Sequence, residues 1–136
     1  MSIDNPTDEE LAETRAEIAA EVAEIFIVSF NRQSEKVHQN AVNKGFWDKP
    51  RNDGELIALI HSELSEALQA LRNGNPASSN ISCASPGFIN CVSEELADTI
   101  IRIMDMADSR GWRVAEAIIA KMKYNESRPH KHGKEF

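Results

Sequence analysis

The sequence predicts an all-α protein, a bundle of four or five helices, and three observations carry that reading. Apolar residues recur at three- and four-residue spacing along nearly the whole chain. No segment shows the two-residue alternation of a half-buried strand. Gly and Pro mark the breaks between the periodic stretches. A chain of 136 residues fits one domain, residues 1–136, long enough for a core but not for two.

Thr7-Asp-Glu-Glu10 reads as a capping box that opens the first helix. Its stripe is Leu11, Ile18, Val22 and Ile25; beyond about Phe26 the apolar phase shifts toward Phe30, Val37 and Ala41. The pattern leaves open whether 7–44 is one helix or two. Gly45 and Pro50 end it and leave the loop Gly45-Phe-Trp-Asp-Lys-Pro50. Asn52 with Glu55 predicts the next start, and Asn73-Gly74 the stop. The Ser-, Asn-, Pro- and Gly-rich stretch Asn75–Asn90 reads as a flexible loop. A third helix is expected over Val92–Arg110, ended near Gly111, and a last one from about Arg113 to Glu126, stopped by Pro129.

Two acid pairs stand out against this frame. In Asn52–Arg72, Leu56, Leu59, Ile60, Ala67, Ala70 and Leu71 form one apolar stripe, widened by Ile57, Leu64 and Leu68. Glu63 projects into the middle of that stripe and Glu66 lies on its margin, because residues three or four apart share a helix face. In Val92–Arg110 the stripe is Val92, Leu96, Ile100, Ile103, Met104 and Ala107. Glu95 borders it, with Asp98 roughly 60° further out. Glu10/Glu13 and Glu21/Glu24 have the same spacing but fall opposite their stripe, as ordinary solvated charges. Two helices packed stripe to stripe could therefore aim Glu63, Glu66, Glu95 and Asp98 into one space.

Like charges about 5 Å apart repel by ~3 kcal/mol at an effective dielectric of 20. No basic residue lies within a helical turn of the first pair. A divalent cation would supply the missing charge, and an all-carboxylate set without His or Cys favours Mg2+, with Mn2+ as a substitute. Such an ion bridges phosphate oxygens and activates water. Set against this, Asp98 could simply pair with Arg102 one turn on, as a surface salt bridge worth little. Lys121, Asn125 and Arg128 follow the line of Val114, Ile118 and Met122; they could meet phosphates, or snorkel and cap the helix end. Trp47 could stack on a nucleobase, or plug the end of the bundle. His38 could hydrogen-bond a base or sugar, or be a partly exposed bystander. His130 and His132 are too isolated to read as ligands.

The formal charge of −7 argues against a nucleic-acid binder, which would carry a basic face. No apolar run approaches 18 residues, so no membrane span is expected. Asp4, Asp8, Glu9 and Glu10 make the N-terminus unlike a targeting peptide. Cys83 and Cys91 lack zinc-ligand spacing and read as reduced thiols. A cytoplasmic protein is the expectation.

The acidic motifs Glu63-Leu-Ser-Glu66 and Glu95-Leu-Ala-Asp98, followed by Lys121, Asn125 and Arg128 in KMKYNESRP and by the ending HGKEF, resemble the signature of the MazG-like all-α nucleoside triphosphate pyrophosphohydrolases. The resemblance covers residues 37–136; residues 1–30 are not covered and read as an added packing or oligomer helix. It implies Mg2+-dependent hydrolysis of a (d)NTP to the monophosphate and pyrophosphate, as in nucleotide-pool cleansing, in a homodimer or homotetramer. It also implies that Glu63, Glu66, Glu95 and Asp98 bind the metal, that Lys121, Asn125 and Arg128 hold phosphate or sugar, and that Trp47 lines the base pocket. Two departures stand out. Ser62 replaces the acid that many relatives carry before the first signature Glu, and the spacer Ala67–Glu94 is 28 residues long. Two other classes compete: a non-catalytic interaction bundle, and a carboxylate di-iron bundle. The second would need Glu-x-x-His motifs that are missing here.

Overall fold

The computed structural model describes residues 5–74 and 91–133. The expected loop Asn75–Asn90, with Cys83, and the last three residues lie outside that range. Among the described residues there are four α-helices: α1 (Asp8–Asn43), α2 (Asp53–Arg72), α3 (Val92–Arg110) and α4 (Val114–Glu126). A short 3-10 turn, His130–Gly133, follows, and no strand occurs among these residues. The all-α expectation holds.

The helix ends follow the local chemistry. Thr7 Oγ1 accepts from Glu10 N at 3.2 Å while Glu10 Oε2 accepts from Thr7 N at 2.7 Å, the reciprocal capping box. Asn52 Oδ1 accepts from Glu55 N at 3.0 Å and starts α2. Gly111, at φ 65°, ends α3 in the left-handed conformation that glycine adopts without strain; Trp112 N then donates to Ala107 O at 2.9 Å. The first helix is one continuous element of 36 residues, which settles the question that the shifted apolar phase left open.

The chain forms two compact units. One contains residues up to Arg32 together with those from Arg113 onward; the other is Gln33–Trp112. In the first, Ala115 is fully buried, and Phe26 and Phe30 pack ring to ring at 5.7 Å. The stripe Leu11, Ile18, Val22 and Ile25 is exposed rather than buried. In the second, α2 and α3 form the principal helix–helix contact. Arg110 meets Asp53 at one end and Arg102 meets Glu63 further along, so α2 and α3 run antiparallel.

Their seam differs from the expected stripe. Leu56, Glu63, Ala67 and Ala70 of α2 are buried with Glu95, Thr99, Met106 and Ala107 of α3. Leu71, Leu64 and Leu68, placed in or beside the α2 stripe by periodicity, are exposed instead, as are Leu96 and Ile100. The seam mixes the small side chains Ala67, Ala70, Thr99 and Ala107 with Leu56 and Met106, and Glu63 and Glu95 are buried within it.

Candidate metal centre

Antiparallel packing brings the α2 acids level with those of α3. Glu63, Glu66 and Glu95 each offer an oxygen such that all three lie within 4.8 Å of one another, the only such trio among the described residues. Glu63 is 6% and Glu95 5% exposed, whereas Glu66 is open to solvent. Ligands on opposite sides of one ion stand about 4 Å apart for Mg2+ and about 5 Å for Ca2+. The trio therefore has the span of a single hard-cation site.

Asp98 stands outside the trio. It is half-buried and lines, with Glu63, the adjoining cavity. The electrostatics mark both α3 acids. Burial, then the charges of Glu66, Asp98, Glu63 and Glu94, push the Glu95 carboxyl above its ordinary range. Burial and the Glu63 charge push Asp98 up as well, against an opposing pull from Arg102. The control acids Glu10, Glu13, Glu21 and Glu24 are all exposed.

Sequence proximity paired Arg102 with Asp98; the structure sends it across the seam. Arg102 Nε donates to Glu63 Oε1 at 2.5 Å, so Glu63 has a protein cation of its own. Among the described residues Glu66 and Glu95 form no ion pair, and the Glu95 carboxyl stays above its ordinary range with Arg102 in place. One guanidinium does not balance Glu63, Glu66, Glu94, Glu95 and Asp98 together. Glu94, which periodicity did not single out, adds a carboxylate oxygen that is buried without a hydrogen-bond partner.

Beside these acids lies a cavity of about 390 Å3, the size of a small-molecule site. Val37, Asn40 and Ala41 of α1 form one wall, and Ile101, Arg102 and Asp105 of α3 another; Phe46 and Arg51 come from the connecting loop. Acids and guanidinium groups thus face the same space.

His38 and Trp47 converge on the cavity residue Asp105. His38 Nδ1 lies 2.7 Å from Asp105 Oδ1, and Trp47 Nε1 donates to the same oxygen at 3.0 Å. The two rings meet edge to face at 5.0 Å. The guanidinium carbons of Arg51 and Arg110 stand 5.8 and 5.6 Å from the Trp47 ring centroid. Trp47 is thus half-buried and fixed in orientation, with Phe46 more exposed beside it. Sequence reasoning missed Asp105, Arg51 and Arg110. The one available signal was that Asp105 lies seven residues after Asp98, on the same helix face.

Lys121, Asn125 and Arg128 belong to the other compact unit, on α4 and just after it. Lys121 Nζ and Arg128 Cζ stand 4.8 and 5.6 Å from the Tyr124 ring centroid. Lys121 and Asn125 are exposed and Arg128 is half-buried. Cys91, at the N-cap of α3, is free and buried. No helix of the described residues is long and apolar enough to cross a membrane. Comparison with family models, with curated proteins and with solved structures finds no match to this chain.

Proposed function

We propose that this chain is a Mg2+-dependent nucleotide pyrophosphohydrolase of the MazG-like type, converting a (d)NTP to the monophosphate and pyrophosphate. The observation that carries the reading is the convergence of Glu63, Glu66 and Glu95 beside a cavity that also presents guanidinium groups. The three carboxylates would hold the ion. When bound, Mg2+ neutralises phosphate charge and acidifies water.

The remaining roles fall to the chain itself. Arg51 and Arg102 line the cavity, where their guanidinium groups would donate to phosphate oxygens. Asp98, half-buried and lining the cavity with Glu63, would take the proton of an attacking water. That water forms the new bond to the α-phosphorus; the bridging P–O bond breaks, and pyrophosphate leaves. His38 and Trp47 orient Asp105 at the far side of the same cavity, where a base or sugar donor would meet its carboxylate. Lys121, Asn125 and Arg128 remain phosphate or sugar contacts on the strength of the motif alone.

The test is a panel of dNTPs and NTPs with and without Mg2+, read by pyrophosphate release. Release from at least one nucleotide, abolished in Glu63→Gln while helicity is retained, is the expected result; no release from any nucleotide refutes the reading. One observation favours a second reading. The Arg102–Glu63 ion pair gives a buried acid a structural partner, as a non-catalytic interaction bundle would. That alternative predicts a melting temperature indifferent to Mg2+ and nucleotide, whereas ligand binding to the native state raises it.

A further inference from the structure

Arg102 belongs to two neighbourhoods at once. It follows Glu95 by seven residues, so the two side chains leave α3 only about 20° apart and both turn toward the seam. There its Nε donates to Glu63 Oε1 at 2.5 Å. The same residue lines the cavity, together with Arg51 and Asp98. The two partners of the ion pair differ in freedom. The Glu63 side chain is 8% exposed and is held by the packing of α2 on α3, whereas that of Arg102 is 41% exposed. A guanidinium on a long stem that reaches water can leave its partner; a carboxylate enclosed in a seam cannot. Asp98, one turn back on α3, offers a second acceptor on the cavity side, and the Arg102 charge already reaches it.

We infer that Arg102 is a resident stand-in for the divalent cation: it neutralises Glu63 while the carboxylate trio is empty, and an ion bound there displaces it into the cavity to hold the anionic group of the ligand. This rests on the proposed metal centre and names a regulation of that site. Glu63 is the residue common to the ion pair and to the trio. A dication and a guanidinium on one carboxylate repel twice as strongly as two unit charges at the same distance. Of the two, the guanidinium is the one with a path out. Glu63 is never left as an unpaired buried charge, because one cation replaces the other. The released group becomes a donor for phosphate beside Arg51.

The coupling runs both ways. An anion that captures Arg102 in the cavity frees Glu63 for the ion by the same factor. Ion and anionic ligand therefore favour each other through the protein, beyond any contact between them. Without the ion, Arg102 is committed to Glu63 and contributes little to anion binding.

Isothermal titration calorimetry of the full chain with Mn2+ alone reads the first half. Arg102→Met should bind Mn2+ about ten-fold more tightly than the parent, within the usual range of coupling between sites. Equal or weaker affinity in the variant overturns the inference and leaves the metal centre standing. Uptake by neither protein overturns both. Inorganic pyrophosphate reads the second half. The ratio of parent to variant affinity, in which complexation of pyrophosphate by free ion cancels, should be about one without metal and about ten or more in saturating Mg2+. The same ratio in both conditions, or no pyrophosphate binding by the Mg2+-loaded parent, overturns the inference. Should the variant not fold, the parent decides by nuclear magnetic resonance. Its Arg102 Nε–H should lose protection from water exchange as Mg2+ is added; protection that persists in the Mg2+-loaded protein overturns the inference.

Discussion

Replacing Glu95 by Gln separates a metal ligand from a structural acid, because the two roles predict opposite signs. Without metal, Glu95 is 5% exposed and faces the charges of Glu66, Asp98, Glu63 and Glu94. One such pair at about 5 Å is worth ~3 kcal/mol at an effective dielectric of 20. Arg102 offsets part of this beside Glu63, and solvent screens the exposed Glu66, so the net relief is about 1 kcal/mol. Gln has the same shape, and its amide can donate to the neighbouring carboxylates. The metal-free variant should therefore melt about 3 °C above the parent for a chain of this size. The parent should in turn gain about 2.7 kcal/mol from Mg2+ at a hundred times its dissociation constant, and the variant should lose most of that gain. Differential scanning calorimetry with MgCl2 against NaCl of equal ionic strength reads both effects. A variant that melts lower without metal and keeps the parent's Mg2+ response would refute the reasoning.

Three further perturbations follow from the same geometry. The Glu95 and Asp98 carboxyls are both raised by burial, so the folded state holds their protons more tightly than the unfolded chain. Their contribution to stability is intact below the ordinary carboxylate range and is lost as pH rises through the folded values. The Mg2+-induced rise in melting temperature should accordingly be larger at pH 7.5 than at pH 4.5, where protons also compete for the ligands; an equal rise at both contradicts this. Arg102→Met removes the cation from a Glu63 that is 6% exposed. Since the Arg102 side chain is itself 41% exposed, the loss should be about 1–2 kcal/mol by urea denaturation, largely recovered in saturating Mg2+; a loss that Mg2+ leaves untouched counts against a metal at Glu63. Asp105→Asn weakens the hydrogen bonds from His38 and Trp47 and should cost about 1–2 kcal/mol in the same assay, whereas an unchanged midpoint would mean that the cluster does not hold the loop.

Local chemistry was legible in the sequence, and long-range pairing was not. The capping box at Thr7, the Asn52 cap and the Gly111 stop depend on groups within a few residues and can be read directly. The acids of α2 and α3 could be set apart from those of α1 because their position relative to an apolar arc is a property of one helix. Which edge of that arc meets a neighbour is not. The arc on α2 is wide enough for two stripes; the Ala-rich one forms the seam and the Leu-rich one faces outward. The phase shift along α1 produced no break: Asp8–Asn43 is one helix, although residues 8–32 and 33–43 belong to different compact units. Arg102 was matched to the acid one turn away, since helical spacing finds only neighbours; its partner Glu63 is 39 residues distant. Asp105 escaped for the same reason, its partners His38 and Trp47 being 67 and 58 residues away.

Direct titration of the protein with Mn2+, followed by the paramagnetic signal of the free ion, addresses the carboxylate trio most plainly. Saturable binding that Mg2+ competes away, and that disappears when Glu63, Glu66 and Glu95 are all replaced by Gln, is the expected result. An unaltered free-ion signal, or binding that survives the triple replacement, would contradict a metal centre between α2 and α3.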